Sequence, residues 1–85
     1  MKKVIIYTGQ RCAHCDWAKE LLNKKNVSFT EYNIAKDQSK IEEMLKKSNG
    51  ARTVPQIFIG THHIGGNLEL QALEREGKLD NLLKN

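Results

Sequence analysis

Val4-Ile5-Ile6-Tyr7-Thr8-Gly9-Gln10-Arg11-Cys12-Ala13-His14-Cys15 is the stretch whose reading decides the fold. Val4 to Tyr7 is a short apolar run rich in β-branched residues. That pattern suits a strand covered on both faces, as at the centre of a sheet, and the strand is predicted over 2–7. Thr8-Gly9-Gln10-Arg11 breaks the run. Cys15, Ala18, Leu21 and Leu22 then recur at helical spacing, which predicts a helix over 12–25 with Asn26 as its stop. Two cysteines separated by two residues therefore open a helix directly after a strand and a short turn.

Further along, Val27 to Ile34 reads as a second strand carrying Phe29, Tyr32 and Ile34. Asp37 to Ser48 reads as a second helix with Ile41, Met44 and Leu45 on its apolar side, ended by Asn49-Gly50. Gln56-Ile57-Phe58-Ile59 and His62-His63-Ile64 are strands joined by the tight turn Gly60-Thr61, a hairpin. Gly65-Gly66 breaks the chain, and Asn67 is a candidate cap for a third helix carrying Leu70 and Leu73. Gly77 ends it, and Leu79, Leu82 and Leu83 predict a short helical tail. The order β-α-β-α-β-β-α gives an α/β fold: a mixed four-stranded sheet flanked by helices, with a parallel pair in the first half and an antiparallel hairpin in the second. No repeat, linker or low-complexity segment interrupts it, so residues 1–85 are expected to form a single domain.

Composition narrows the function classes. The chain has 85 residues, with 14 Lys plus Arg against 10 Asp plus Glu and a net charge of +4. A domain of this size buries only about 60–65% of its unfolded surface, so an active site is expected in a shallow surface groove. Two cysteines exclude a disulfide-rich secreted scaffold. No apolar run approaches the roughly 18–20 residues of a membrane span, so no membrane association is expected. Met1-Lys2-Lys3 looks like the start of a signal peptide, but Val4-Ile5-Ile6 falls short of an h-region of about 7–15 residues. The chain reads as complete, soluble and cytoplasmic. Its lysines are spread among acids, and the pairs Lys24-Lys25 and Lys46-Lys47 sit at predicted helix ends, where cations suit the macrodipole. Nucleic acid is therefore not an expected partner; small anions are.

The chemistry lies in Cys12 and Cys15. A helix N-terminus carries unpaired N–H groups and about half a positive charge, which stabilises a thiolate at Cys12. Cys12 is the expected nucleophile, with Arg11 adding positive charge beside it. Cys15 lies one turn on, within reach of a disulfide formed on Cys12, and shares the apolar stripe with Ala18 and Leu22. It is the expected resolving thiol. A zinc site needs two further ligands from His14, His62 and His63, and adjacent strand residues point to opposite faces, so no metal is expected. Paired cysteines beside a βαβ pattern read as a redox motif.

Two loops accompany the pair. Thr53-Val54-Pro55 precedes a strand, where a residue without an N–H is tolerated. It is either a plain strand-entry turn or a loop whose Val54 backbone is free to pair with an extended peptide. Gly65-Gly66-Asn67 is either a turn after a hairpin or a place of close ligand approach, with helix N–H groups for a carboxylate. Glu69 suits the helix dipole and is equally able to receive a ligand ammonium.

With Ile6-Tyr7-Thr8, Cys12/Cys15, Thr53-Val54-Pro55-Gln56-Ile57-Phe58-Ile59 and His63-Ile64-Gly65-Gly66 in this order, the chain resembles the glutaredoxins over essentially its whole length. It is most similar to the small bacterial dithiol members of the glutaredoxin 3 type. The resemblance implies a thioredoxin fold, a cis Pro55 and a glutathione groove. There Thr53 and Val54 pair with the glutathione backbone, and the helix start at Gly66, Asn67 and Leu68 holds its γ-glutamyl carboxylate. It implies a monomeric, glutathione-dependent thiol–disulfide oxidoreductase acting on disulfide-bearing or glutathionylated proteins such as ribonucleotide reductase.

The chain also departs from the family. Pro and Tyr usually separate the cysteines; here Ala13 and His14 do. His14 must wall the glutathione site in place of Tyr or leave it open, and as a charged imidazole it would stabilise a Cys12 thiolate. A common Lys three positions before the first Cys is Gly9, with Arg11 as a substitute. After the double glycine, contact with the glutathione amino group falls to Glu69. Loss of the active-site Pro also resembles glutaredoxins that bind a [2Fe–2S] cluster between two subunits through the first Cys, here Cys12. A third reading is an electron donor to ribonucleotide reductase reduced by thioredoxin reductase, but Ile64-Gly65-Gly66-Asn67 stands where that group has Trp-Ser-Gly-Phe.

Overall fold

The computed structural model describes residues 1–84. Its elements run β1 (Val4–Thr8), α1 (Ala13–Lys24), β2 (Thr30–Asn33), α2 (Ser39–Lys47), β3 (Gln56–Ile59), β4 (His62–Gly65), α3 (Asn67–Arg75) and α4 (Leu79–Leu83). The sheet order is β2-β1-β3-β4. β1 pairs parallel with β2 and antiparallel with β3, and β3 pairs antiparallel with β4. This is the mixed four-stranded sheet that the alternation of apolar runs and helical stripes predicts. β1 is central, and Val4, Ile6, Tyr7 and Thr8 are all buried.

Period-two alternation sends the strand side chains to two cores. Val4, Ile6, Ile57 and Ile59 join Ala18 and Leu22 of α1, Leu70 of α3 and Leu79 and Leu83 of α4. On the other core, Tyr7 and Phe58 meet Met44 of α2. The Tyr7 ring lies edge-on to Phe58 at 5.8 Å, and Lys47 Nζ sits 4.5 Å from the Phe58 ring centroid.

Several details differ from the sequence reading. The second strand was expected over 27–34 but is only Thr30–Asn33, because the Val27 N–H donates to Leu22 O at 2.9 Å and so closes α1 instead of entering the sheet. The second helix starts at Ser39, not Asp37, because Asp37 Oδ1 accepts from Ser39 N and Ser39 Oγ in a turn before it. Within that helix Ile41 is exposed, and Met44 alone is buried. The third helix is capped by Gly66, and Asn67 is its first residue. Asn49 and Gly50 end α2 as expected: both have positive φ, and Gly50 N donates to Leu45 O at 2.7 Å.

Ion pairs tie the elements together. Lys25 Nζ lies 2.9 Å from both Glu74 and Asp80, joining the end of α1 to α3 and α4. Glu31 accepts from Thr8 Oγ1 and Lys19 Nζ. Partial burial disfavours its ionisation, but those two donors outweigh burial and hold the carboxyl below the usual range. Glu43 accepts from the Tyr7 hydroxyl and from Lys40; the Tyr7 bond is the larger cause of its lowered pKa. Burial, then Glu43, pushes the Tyr7 phenol up. Both carboxyls thus titrate lower in the folded chain than in the unfolded one. Their contribution is complete above about pH 4.3 and is lost as pH falls through the folded values. Each side chain is about one-third exposed, so we expect under about 1 kcal/mol apiece. Thermal melts from pH 7 to 3 should show Glu43→Gln losing less stability on acidification than the wild type; an identical acid limb would contradict this.

Candidate active site

Cys12 is the N-cap of α1, with extended backbone (φ −112°, ψ 100°). Its Sγ accepts the Cys15 N–H at 3.0 Å, so the open donors of the helix point at this sulfur. Cys12 is half-buried and Cys15 is 1% exposed, packed with Ala18 and Leu22. The two are joined as a disulfide with Cα atoms 5.1 Å apart. The cysteines thus differ in environment as the helical register predicts: one faces solvent at a positive helix end, the other is held in the core. Arg11 stands exposed beside Cys12 with left-handed backbone (φ 52°) and no ion-pair partner among the described residues.

The β1–α1 turn and the Thr53–Pro55 loop meet at Gly9. A Cβ there would fall 2.9 Å from Val54 Cγ2, so a side chain at position 9 must displace Val54. The Val54–Pro55 peptide is cis, as the resemblance implies, and Val54 O lies 3.8 Å from Cys12 Sγ.

A groove of about 400 Å³ opens beside the disulfide, within the size range of small-molecule sites. Its lining includes His14, Thr53, Val54, Pro55, Gly66, Asn67, Leu68 and Glu69, every residue the sequence reading assigned to a ligand groove. His14 is part of this lining: its ring stands edge-on to Trp17 at 5.0 Å, and its Nδ1 is 3.2 Å from Asn67 Nδ2. Two residues take different parts from those expected. The Asn67 side chain is 5% exposed and turned to His14 and Gln71, so it caps nothing and leaves only its backbone for a ligand. Glu69 Oε1 accepts the Gly66 N–H at 2.7 Å, the reach-back bond from the third helical position to the cap, so one carboxylate oxygen is committed to structure.

Ala51, Gln56 and His63 also line the groove and were not foreseen, and Gly65 joins them from the double-glycine turn. Gln56 is 4% exposed. Its Nε2 donates to Thr53 O at 2.9 Å and Thr53 Oγ1 at 3.2 Å, and its Oε1 faces His63 Nε2 at 2.6 Å. A carbonyl only accepts, which fixes the amide orientation, so His63 Nε2 carries a proton and donates to Gln56. His63 also stacks on Phe58 at 4.8 Å. This chain from β4 through β3 holds the Thr53–Pro55 loop. The available signal was a polar residue opening an otherwise fully apolar strand. Gln56→Leu should cost about 1–2 kcal/mol, read as a lower urea midpoint at unchanged m-value; an unchanged midpoint would show that the chain holds nothing.

Among the described residues no group of three or more His, Cys, Asp or Glu is placed to hold a metal ion.

The glutaredoxin family model matches residues 4–64. The chain belongs to the glutaredoxin family. It is 52% identical to glutaredoxin 3 of Escherichia coli K12 over 84 residues, 99% of this chain and 100% of that protein. The solution structure of glutaredoxin from Brucella melitensis superposes with a TM-score of 0.83 at 48% identity, covering 99% of this chain and 90% of that one. The buckwheat glutaredoxin–glutathione complex superposes with a TM-score of 0.85 at 25% identity, covering 96% and 76%. As a glutaredoxin with a thioredoxin fold and a disulfide-forming cysteine pair, the protein is a thiol–disulfide oxidoreductase.

Proposed function

We propose that this glutaredoxin is glutathione-dependent, with Cys12 as nucleophile and Cys15 as resolving thiol. The observation that carries the reading is the groove beside Cys12. It has a peptide-like edge at Thr53–Pro55 on one side and the N-terminus of α3 on the other. A γ-glutamyl tripeptide suits both: its backbone pairs with Thr53 and Val54, and its carboxylate accepts from the N–H groups at Gly66–Leu68. The buckwheat relative binds glutathione.

In the reduced protein the Cys12 thiolate attacks the glutathione sulfur of a mixed disulfide. The protein–glutathione S–S bond breaks, the protein thiolate leaves and takes a proton, and glutathione stays on Cys12. A second glutathione thiolate attacks that glutathione sulfur, forming oxidised glutathione and releasing the Cys12 thiolate. With a protein disulfide, Cys12 attacks first. Cys15 then loses its proton, attacks the Cys12 sulfur and expels the reduced protein, leaving two oxidising equivalents in the Cys12–Cys15 bond for two glutathiones to reduce. Helix donors to Cys12 make it both ionised and a good leaving group, while very strong stabilisation would blunt its attack. Arg11 and His14 tune that balance. The substrates are disulfide-bearing or glutathionylated proteins, met by a monomer in a reducing cytoplasm.

Coupled assays test the reading. Glutathione with glutathione reductase should turn the protein over; thioredoxin reductase alone should not. Turnover by thioredoxin reductase without glutathione would overturn it.

A further inference from the structure

The Asn67 amide is bonded to side chains at both ends. Asn67 Nδ2 faces His14 Nδ1 at 3.2 Å, and Asn67 Oδ1 accepts from Gln71 Nε2 at 3.1 Å. Gln71 lies one turn further along α3, outside the lining of the groove. An amide nitrogen only donates, so His14 Nδ1 is the accepting nitrogen, and a neutral imidazole that accepts at Nδ1 carries its proton on Nε2. The edge-to-face contact with Trp17, 5.0 Å between centroids at 79°, holds the ring from a second side. His14 itself lines the groove, and its Nε2 has no hydrogen-bond partner among the described residues.

We propose that Gln71 is a positioning residue for the redox site: it orients the Asn67 amide, which holds His14 in the Nε2–H tautomer and so supplies a hydrogen-bond donor to an anionic ligand in the groove. The identity of that ligand rests on the glutathione reading above; the tautomer does not. The relay has a direction that one substitution reverses. In Gln71→Glu the new carboxylate can only accept, so it draws Asn67 Nδ2 toward itself and turns Asn67 Oδ1 to His14. His14 Nδ1 must then carry the proton, and Nε2 offers a lone pair where a donor stood. Gln71→Leu removes the preference without reversing it.

The test uses the oxidised full chain and nitrogen-15 NMR of the imidazoles at about pH 8.5, roughly two units above the pKa of histidine in a model peptide. His14→Phe assigns the signals. The wild type should show His14 as Nε2–H, Gln71→Glu as Nδ1–H and Gln71→Leu as a mixture. At the same pH, KM for a glutathione mixed disulfide should rise about three- to tenfold in Gln71→Glu, with kcat and the rate of Cys12 alkylation within about twofold of wild type. A wild-type Nδ1–H tautomer, or no tautomer change in Gln71→Glu, overturns the relay. A changed tautomer with unchanged KM overturns the ligand contact. If wild type shows no saturable turnover of the glutathione substrate, the glutathione reading itself fails, and the NMR still decides the relay.

Discussion

Cys12→Ser should lose turnover of both glutathione mixed disulfides and protein disulfides, by about three orders of magnitude or more, whereas Cys15→Ser should keep the first and lose most of the second. The asymmetry follows from where the helix puts each sulfur. Cys12 caps α1, is half-buried and takes the Cys15 N–H, so in the proposed mechanism it is the sulfur open to a substrate, at a helix end whose donors favour a thiolate. Cys15 is 1% exposed in the core and can act only on a disulfide already formed at Cys12. Serine in place of Cys12 keeps the cap but not a group that ionises near neutral pH. Steady-state assays with one mixed-disulfide and one protein-disulfide substrate separate the routes. An active Cys12→Ser protein would overturn the assignment of the nucleophile.

Leu22→Ala should be the most damaging of the single core truncations on α1. Leu22 is 0% exposed and packs in the larger core with residues of both central strands and α3. Large-to-small changes of this kind cost about 2–5 kcal/mol. A chain of 85 residues has roughly 4–13 kcal/mol of stability in all. At about 4–8 °C per kcal/mol for a domain of this size, the melting temperature should fall by about 8–40 °C. Ile41→Ala is the contrast. Ile41 is 36% exposed on α2 and should move stability by about 0.5 kcal/mol or less. Calorimetry on the two variants reads both, and equal effects would contradict the placement of the core.

Strong local patterns carried the fold. The Val4–Tyr7 run, the 12–25 stripe and the hairpin around Gly60-Thr61 each name one element type, and their order leaves few topologies. Boundaries failed where one backbone group decides them. Nothing in Val27 says that its N–H closes α1, and Ile41 reads as core at helical spacing although it lies exposed on α2. The cysteine pair was legible because a helix N-terminus gives it chemistry wherever it occurs. The Gln56–His63 and His14–Asn67 bonds were not, because each joins residues whose partners only the tertiary fold supplies. Asn67 shows the limit: a good capping residue in sequence, it is drawn inward by a histidine 53 positions away.

The most direct test of glutathione chemistry at Cys12 is mass spectrometry of Cys15→Ser after exposure to oxidised glutathione. A single glutathionyl adduct should form, located on Cys12 by peptide mapping and removed by added reduced glutathione with recovery of the free thiol. No adduct on Cys12, or one that reduced glutathione fails to release while a dithiol releases it, would contradict the account.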